Sequence, residues 1–220
     1  MTLLSQPPDP AEIIRQGSRL LEIPVTNEAV SKMMRHMELL MEWGSRVNLT
    51  ALKDPRDIAV FHFLDSLTVF KVVPQGIALR VLDVGSGAGF PGIVMRSAEE
   101  SINLSVVDRN PKKIVFMKHV AGELNLTRIR FLNSLLQDFM DNSLPGHFDV
   151  VVSRAFASDP DLMDTLHHLL APGGSLIRMA GPASVGKQFP LHHFRESFRW
   201  DGSLPFSDRL RSVFRYTKIT

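Results

Sequence analysis

The stretch LDVGSGAGFPG, Leu82 to Gly92, decides how the chain folds. It sets Gly85, Gly87, Gly89 and Gly92 behind an aspartate, Asp83, and joins an apolar run to a segment that opens a helix. A glycine-rich turn in that position admits a ligand that a β-carbon would exclude. Towards the C-terminus, short apolar runs alternate with helical segments: ALRVLDVG, NLSVVDRN, RIRFLNS, FDVVVSRA and GGSLIRMAG. Runs this short and rich in Val, Ile and Leu describe a parallel sheet covered on both faces, so the chain is predicted to be α/β and doubly wound. Helices are expected after Pro91, after Asn110 with Pro111 in the first turn, and after Ser158 with Pro160 just inside. Near the end, LRSVFRYTKI reads as a late strand entering antiparallel, as an edge or hairpin partner.

Towards the N-terminus the pattern is helical. Ala11 to Leu21 has helical spacing, and between Asn27 and Trp43 residues Val30, Met33, Met34, Met37, Leu40 and Met41 recur at three and four. At that spacing the methionines read as core rather than as a pliable binding surface. Asp54 and Pro55 open another helix, expected to run to about Val73, where Pro74 and Gly76 stop it. The chain thus divides into a helical region, 1–75, and a ligand-binding α/β region, 76–220.

Composition narrows the chemistry. The 220 residues include no cysteine, which removes disulfides, thiolate metal sites and every mechanism needing sulfur attack. No metal is expected. The start, MTLLSQPPDP, lacks a basic segment and a long apolar run, so a soluble cytoplasmic protein with no membrane partner is expected. Net charge is only +2, but residues 178–220 hold eight Lys and Arg against three Asp and Glu, a beginning of an electrostatic footprint for a polyanion or simply a solvated face.

In a doubly wound sheet the first strand ends at the crevice where ligands lie. A dinucleotide fold prefers G-x-G-x-x-G; here Gly85, Gly87 and Gly89 fall one residue short of it. The second run ends in Asp108, where an acidic residue accepts hydrogen bonds from ribose hydroxyls. A nucleoside is implied, with or without phosphates.

The motif D-x-G-x-G-x-G with an acidic end to the second strand resembles the class I S-adenosylmethionine-dependent methyltransferases. More narrowly, NLTALKDP, HFLDSL, DVGSGAGFPGI, VDRNPKKIVFM and SRAFAS are similar, in order and spacing, to the ribosomal RNA small subunit methyltransferase G family, over roughly residues 27–182. The resemblance implies a mostly parallel seven-stranded sheet with an N-terminal helical extension, S-adenosylmethionine as cofactor, and 7-methylguanosine formed in small-subunit (16S) rRNA, free or in the 30S subunit. It places Gly85 and Phe90 in the cofactor pocket, Leu136 and Gln137 beside the adenine, and Arg154 at the methionine end. Gly87 and Gly89 would let the backbone pass the ligand, with Asp83 and Asp108 near its cations and hydroxyls. Arg154 could alternatively cap a helix or pair with Asp149 or Asp159.

The acceptor follows partly by elimination. Methylation at pyrimidine carbon 5 uses a cysteine, which is absent, and the Asn/Asp-Pro-Pro-aromatic signature of adenine amino-group methylation is replaced by SRAF. Nitrogen 7 of guanine has a lone pair and no proton to lose, so alignment and exclusion of water can supply most of the catalysis. No catalytic acid or base is assigned. Candidate RNA contacts are Arg195 and Arg199, read as one helical turn apart, and Arg209, Arg211 and Arg215, which alternate onto one face of a strand. Lys53, Arg56 and His62 could add to them, with Asp65 one turn beyond His62. Four positions depart from the family pattern, Ala180 and Ser212 where basic residues are usual, Leu135 for an arginine and Gln137 for a glutamate, and the missing basic residues keep open a small-molecule or protein acceptor, or a binding protein without turnover.

Overall fold

The computed structural model describes residues 9–44, 46–136, 146–154, 160–181 and 193–219. Helix α1 (Pro10–Leu20) starts where Asp9 accepts the Glu12 amide at 2.8 Å, and α2 (Asn27–Trp43) where Thr26 accepts that of Ala29 at 3.1 Å. Val30, Met33, Met37 and Leu40 are buried, so the methionine row of α2 is core, with Met41 on the outer side.

The helix expected from Asp54 forms as one run of changing pitch. It comprises α3 (Pro55–Ile58), a π-helical stretch (Ala59–Leu64), α4 (Asp65–Leu67) and a 3₁₀ turn (Thr68–Lys71). A π-helical stretch turns side chains off their α-helical directions and often accompanies a functional site. Here it carries Phe61 and His62, with Asp65 just beyond.

Seven strands follow: β1 (Arg80–Val84), β2 (Asn103–Val107), β3 (Ile129–Leu132), β4 (Phe148–Ser153), β5 (Leu170–Ala180), β6 (Phe194–Ser203) and β7 (Leu210–Lys218). Their order is β3-β2-β1-β4-β5-β7-β6, with β1 to β5 parallel and β7 antiparallel to both β5 and β6. Helices α5 (Gly92–Ala98), α6 (Pro111–Glu123) and α7 (Pro160–Leu169) link the parallel strands, and Asn110 caps α6 ahead of Pro111 as expected. Neighbouring residues of β1 point to opposite faces. Val81 joins a core shared with α1, α2, α5 and α6, whereas Leu82 joins a second core with Val151, Leu166 and Tyr216. Sheet order reverses between β1 and β4, and the crevice at their C-terminal ends is the site such folds use.

Of the two expectations about the tail, one holds and one is corrected. The last strand enters antiparallel as a hairpin partner: β7 pairs with the segment from Phe194 and so lies between β5 and β6. Arg195 and Arg199 therefore sit on a strand, not a helix. A bulge between Glu196 and Phe198 puts Arg195 opposite Thr217 and Arg199 opposite Phe214. Consecutive positions of β7 face opposite ways and these partners differ in parity, so the bulge sends the two arginines to opposite faces of the sheet.

Candidate functional site

The aspartate before the glycines acts behind the loop. Asp83 is fully buried, and its Oδ2 accepts the Gly92 amide at 2.8 Å and the Ser86 hydroxyl. Gly92 is what allows this, since a β-carbon there would stand 2.6 Å from Oδ2 and 2.9 Å from the Asp83 β-carbon. The loop is thereby tied back onto the strand it leaves. Burial pushes the Asp83 carboxyl up to about 6, against the pull of Ser86 and Gly92. Its Oδ1 is buried without a hydrogen-bond partner.

Asp108, at the end of β2, fixes the loop from the other side. Its Oδ2 accepts the Gly87 amide at 3.0 Å and its Oδ1 the Asn110 amide at 2.8 Å. It is thus both the strand-end turn carboxylate and a wall of a cavity of about 260 Å³, which Gly85, Leu135 and Leu136 also line. Gly85 has φ +70°, and a β-carbon on it would meet nothing within 4 Å. That open cradle, the Asp108 wall and the orphaned Asp83 oxygen fit a nucleoside carrying a cation. The cavity walls would hold its adenosine part, and Asp83 supplies negative charge beneath the loop.

Phe90 lies deeper than expected. It is buried between two imidazoles, His36 at 4.9 Å and His62 at 4.6 Å between ring centroids, both near parallel. His36 reaches from α2 and donates Nε2–H to the Ala88 carbonyl at 2.8 Å, joining the helical layer to the glycine loop. Burial holds His36 neutral, its pKa lowered to about 4. Phe90 therefore packs against His62 and is not among the residues lining the first cavity, and Asp83 likewise lies behind the loop.

A second cavity, about 300 Å³, opens beside β4 and β5, across the sheet reversal from the first. His62, Asp65, Arg154, Arg209 and Arg211 line it with Phe61. Arg154 follows β4, where its NH1 contacts His62 Nδ1 at 3.2 Å and Asp65 Oδ2 at 3.8 Å. Arg211 Nε donates to Asp65 Oδ1 at 2.8 Å. A guanidinium only donates, so His62 Nδ1 accepts and its Nε2–H points to Thr50 Oγ1, 2.6 Å away. Burial, then Arg154, then His36, lower the His62 pKa to about 3. Burial raises the Asp65 carboxyl even with Arg211 and Arg154 beside it, and lowers the Arg154 guanidinium. The partner of Arg154 is thus Asp65, 89 positions earlier in the chain; Asp149 is held by Arg80 at 2.6 Å.

The remaining RNA candidates divide. His62 is a neutral wall of the second cavity and no cation for phosphate. Arg209 and Arg211 face the same cavity, but Arg211 is committed to Asp65. Arg215 bonds Ser175 Oγ on β5 at 3.0 Å and the Val72 carbonyl, just past the 3₁₀ turn, at 3.5 Å, and so is largely structural. Arg199 pairs with Asp201 at 2.6 Å and covers the Phe214 ring, while Arg195, Lys53 and Arg56 are exposed. Of the departures from the family pattern, Ala180 lines the second cavity, Leu135 the first, and Ser212 is buried against Asp201. Gln137 and Asp159 lie outside the described residues. His36, Thr50, Ser86 and Phe61 were not identified from sequence; Ser86, inside the glycine motif, and Thr50, inside NLTALKDP, carried a local signal, and the other two did not.

Comparison with known proteins agrees with this layout. A family model described as rRNA small subunit methyltransferase G matches residues 29–188. Ribosomal RNA small subunit methyltransferase G of Burkholderia cenocepacia is 33% identical over 207 residues, covering 92% of this chain and 90% of that one. The protein of the same name from Acinetobacter baylyi is 33% identical over 168 residues, covering 76% and 78%. Among solved structures, a SAM dependent methyltransferase from Aquifex aeolicus has the same fold, with TM-score 0.58 at 17% identity over 77% of this chain and 96% of its own. The chain belongs to the rRNA small subunit methyltransferase G family of class I S-adenosylmethionine-dependent methyltransferases.

Proposed function

We propose that the chain methylates nitrogen 7 of a guanine in small-subunit (16S) rRNA, in the cytoplasm, with free rRNA or the 30S subunit as partner. Bound S-adenosylmethionine supplies an electrophilic methyl group on a sulfonium. Gly85, Asp108 and Leu136 would hold its nucleoside part, and Arg154, on the wall of the second cavity, would close its methionine end. One observation carries the choice of acceptor: no side chain lining the second cavity among the described residues is free to take a proton. His62 accepts from Arg154 at 3.2 Å and donates to Thr50, and Asp65 is shared by two guanidiniums. An acceptor that arrives with its own lone pair and loses no proton suits such a site. What the residues supply is position and exclusion of water: the ring stack fixes His62, and Asp65 fixes Arg154 and Arg211.

Residues from the helical region 1–75 and from the C-terminal hairpin meet at this cavity, and we assign to both the grip on RNA. Nucleoside mass analysis of 16S rRNA from a strain lacking the protein tests the reading. Loss of one 7-methylguanosine, restored by the wild-type chain, is expected; an unchanged content refutes it.

A further inference from the structure

Three arginines face the second cavity, and two of them are spoken for. Arg154 and Arg211 converge on Asp65. Arg209 differs: its guanidinium lies 4.0 Å from the centroid of the Phe61 ring and, among the described residues, makes no ion pair. The hairpin turn fixes it there, because the Arg209 carbonyl accepts the Leu204 amide at 3.1 Å and its own amide donates to Ser207 Oγ at 3.0 Å. From the other side, the π-helical stretch delivers Phe61. A planar cation resting on an aromatic ring leaves its second face for another flat group, and proteins that bind unpaired nucleotides stack bases on such faces.

We propose that the Arg209–Phe61 pair is the platform on which the acceptor base stacks, so that Arg209 contacts the base face and not a phosphate. The platform lines the same cavity as Arg154, Asp65 and Arg211. The proposal rests on the reading of the chain as an rRNA methyltransferase.

A stacking platform and a phosphate contact respond oppositely to substitution. Methyl transfer to small subunits lacking the modification is measured for wild type, Arg209→Ala, Arg209→Tyr and Arg209→Lys, with S-adenosylmethionine affinity and the salt dependence of RNA binding determined for each. Arg209→Ala is expected to lower kcat/KM by about 5- to 150-fold, the range of one lost base stack, with cofactor affinity unchanged. Arg209→Tyr should recover most of the loss and Arg209→Lys little of it, at an unchanged salt slope. Recovery by lysine and not tyrosine, with a shallower salt slope for Arg209→Ala, overturns the proposal in favour of a phosphate contact. So does an Arg209→Ala variant as active as wild type. Failure of the wild-type chain to form 7-methylguanosine rejects the functional reading itself, and the platform falls with it.

Discussion

Two glycines of this chain make a controlled experiment. Gly85 and Gly76 have φ of +70° and +79°, and a β-carbon on either meets nothing within 4 Å. The left-handed conformation costs a non-glycine residue about 1–2 kcal/mol, so Gly85→Ala and Gly76→Ala should lose similar stability. For a chain of this length that is roughly 2–8 °C in Tm. The positions differ in surroundings: Gly85 lines the first cavity, whereas Gly76 sits outside it with its amide on Glu99 at 2.7 Å. If that cavity receives the cofactor, the methyl of Gly85→Ala crowds the ligand, and crowding by one methyl typically costs about 1–3 kcal/mol. The dissociation constant for S-adenosylmethionine should then rise by about 5- to 150-fold in Gly85→Ala and stay near the wild-type value in Gly76→Ala. Titration calorimetry with S-adenosylmethionine and S-adenosylhomocysteine, beside thermal unfolding of the free proteins, measures both quantities. Equal affinities in variants of equal stability would refute the assignment of this cavity.

Asp108→Asn should weaken cofactor binding by about 10- to 150-fold, the loss of a charge-assisted hydrogen bond worth roughly 1.5–3 kcal/mol, and calorimetry with adenosine alone should show the same factor. Asp65→Ala leaves two guanidiniums unpaired in a mostly buried setting; a loss of about 3–5 kcal/mol is expected, read from urea unfolding, and a variant as stable as wild type contradicts the network. Acidification should destabilise the fold through His36 and His62. Both stay neutral when folded, with pKa about 4 and about 3, but take up protons below about 6.5 when unfolded. Their stabilising contribution is complete above that value and is lost as the pH falls, while Asp83, at about 6 when folded, opposes the trend by binding a proton in the native state. Replacing His62 with phenylalanine should therefore reduce the rise of stability with pH, between about 4 and about 6, by up to roughly 1.4 kcal/mol per unit; an unchanged slope in urea titrations argues against a neutral His62.

What could be read in the sequence was what is local. The glycine loop, the Asn110–Pro111 start of α6 and the acidic end of β2 each lie within a few residues of their own signal, and each is found in place. The Asp65–Arg211 pair spans 146 positions, and nothing in either neighbourhood announces the other. His36 sits in a helix whose apolar row explained itself as core, and its contact with Ala88 arises only when that helix is laid over the loop. The strand parity of Arg195 and Arg199 turns on one extra residue at Ser197, too small a feature to disturb the hydrophobic pattern.

The protein's own groups bond the loop: the Gly87 amide is held by Asp108, the Gly92 amide by Asp83, and the Ala88 carbonyl by His36. An incoming cofactor then has little backbone left to immobilise, and its association should be limited by diffusion and desolvation rather than by rearrangement of the turn. Amide deuterium uptake at residues 87 and 92 should accordingly be slow in the free protein and change little on saturation.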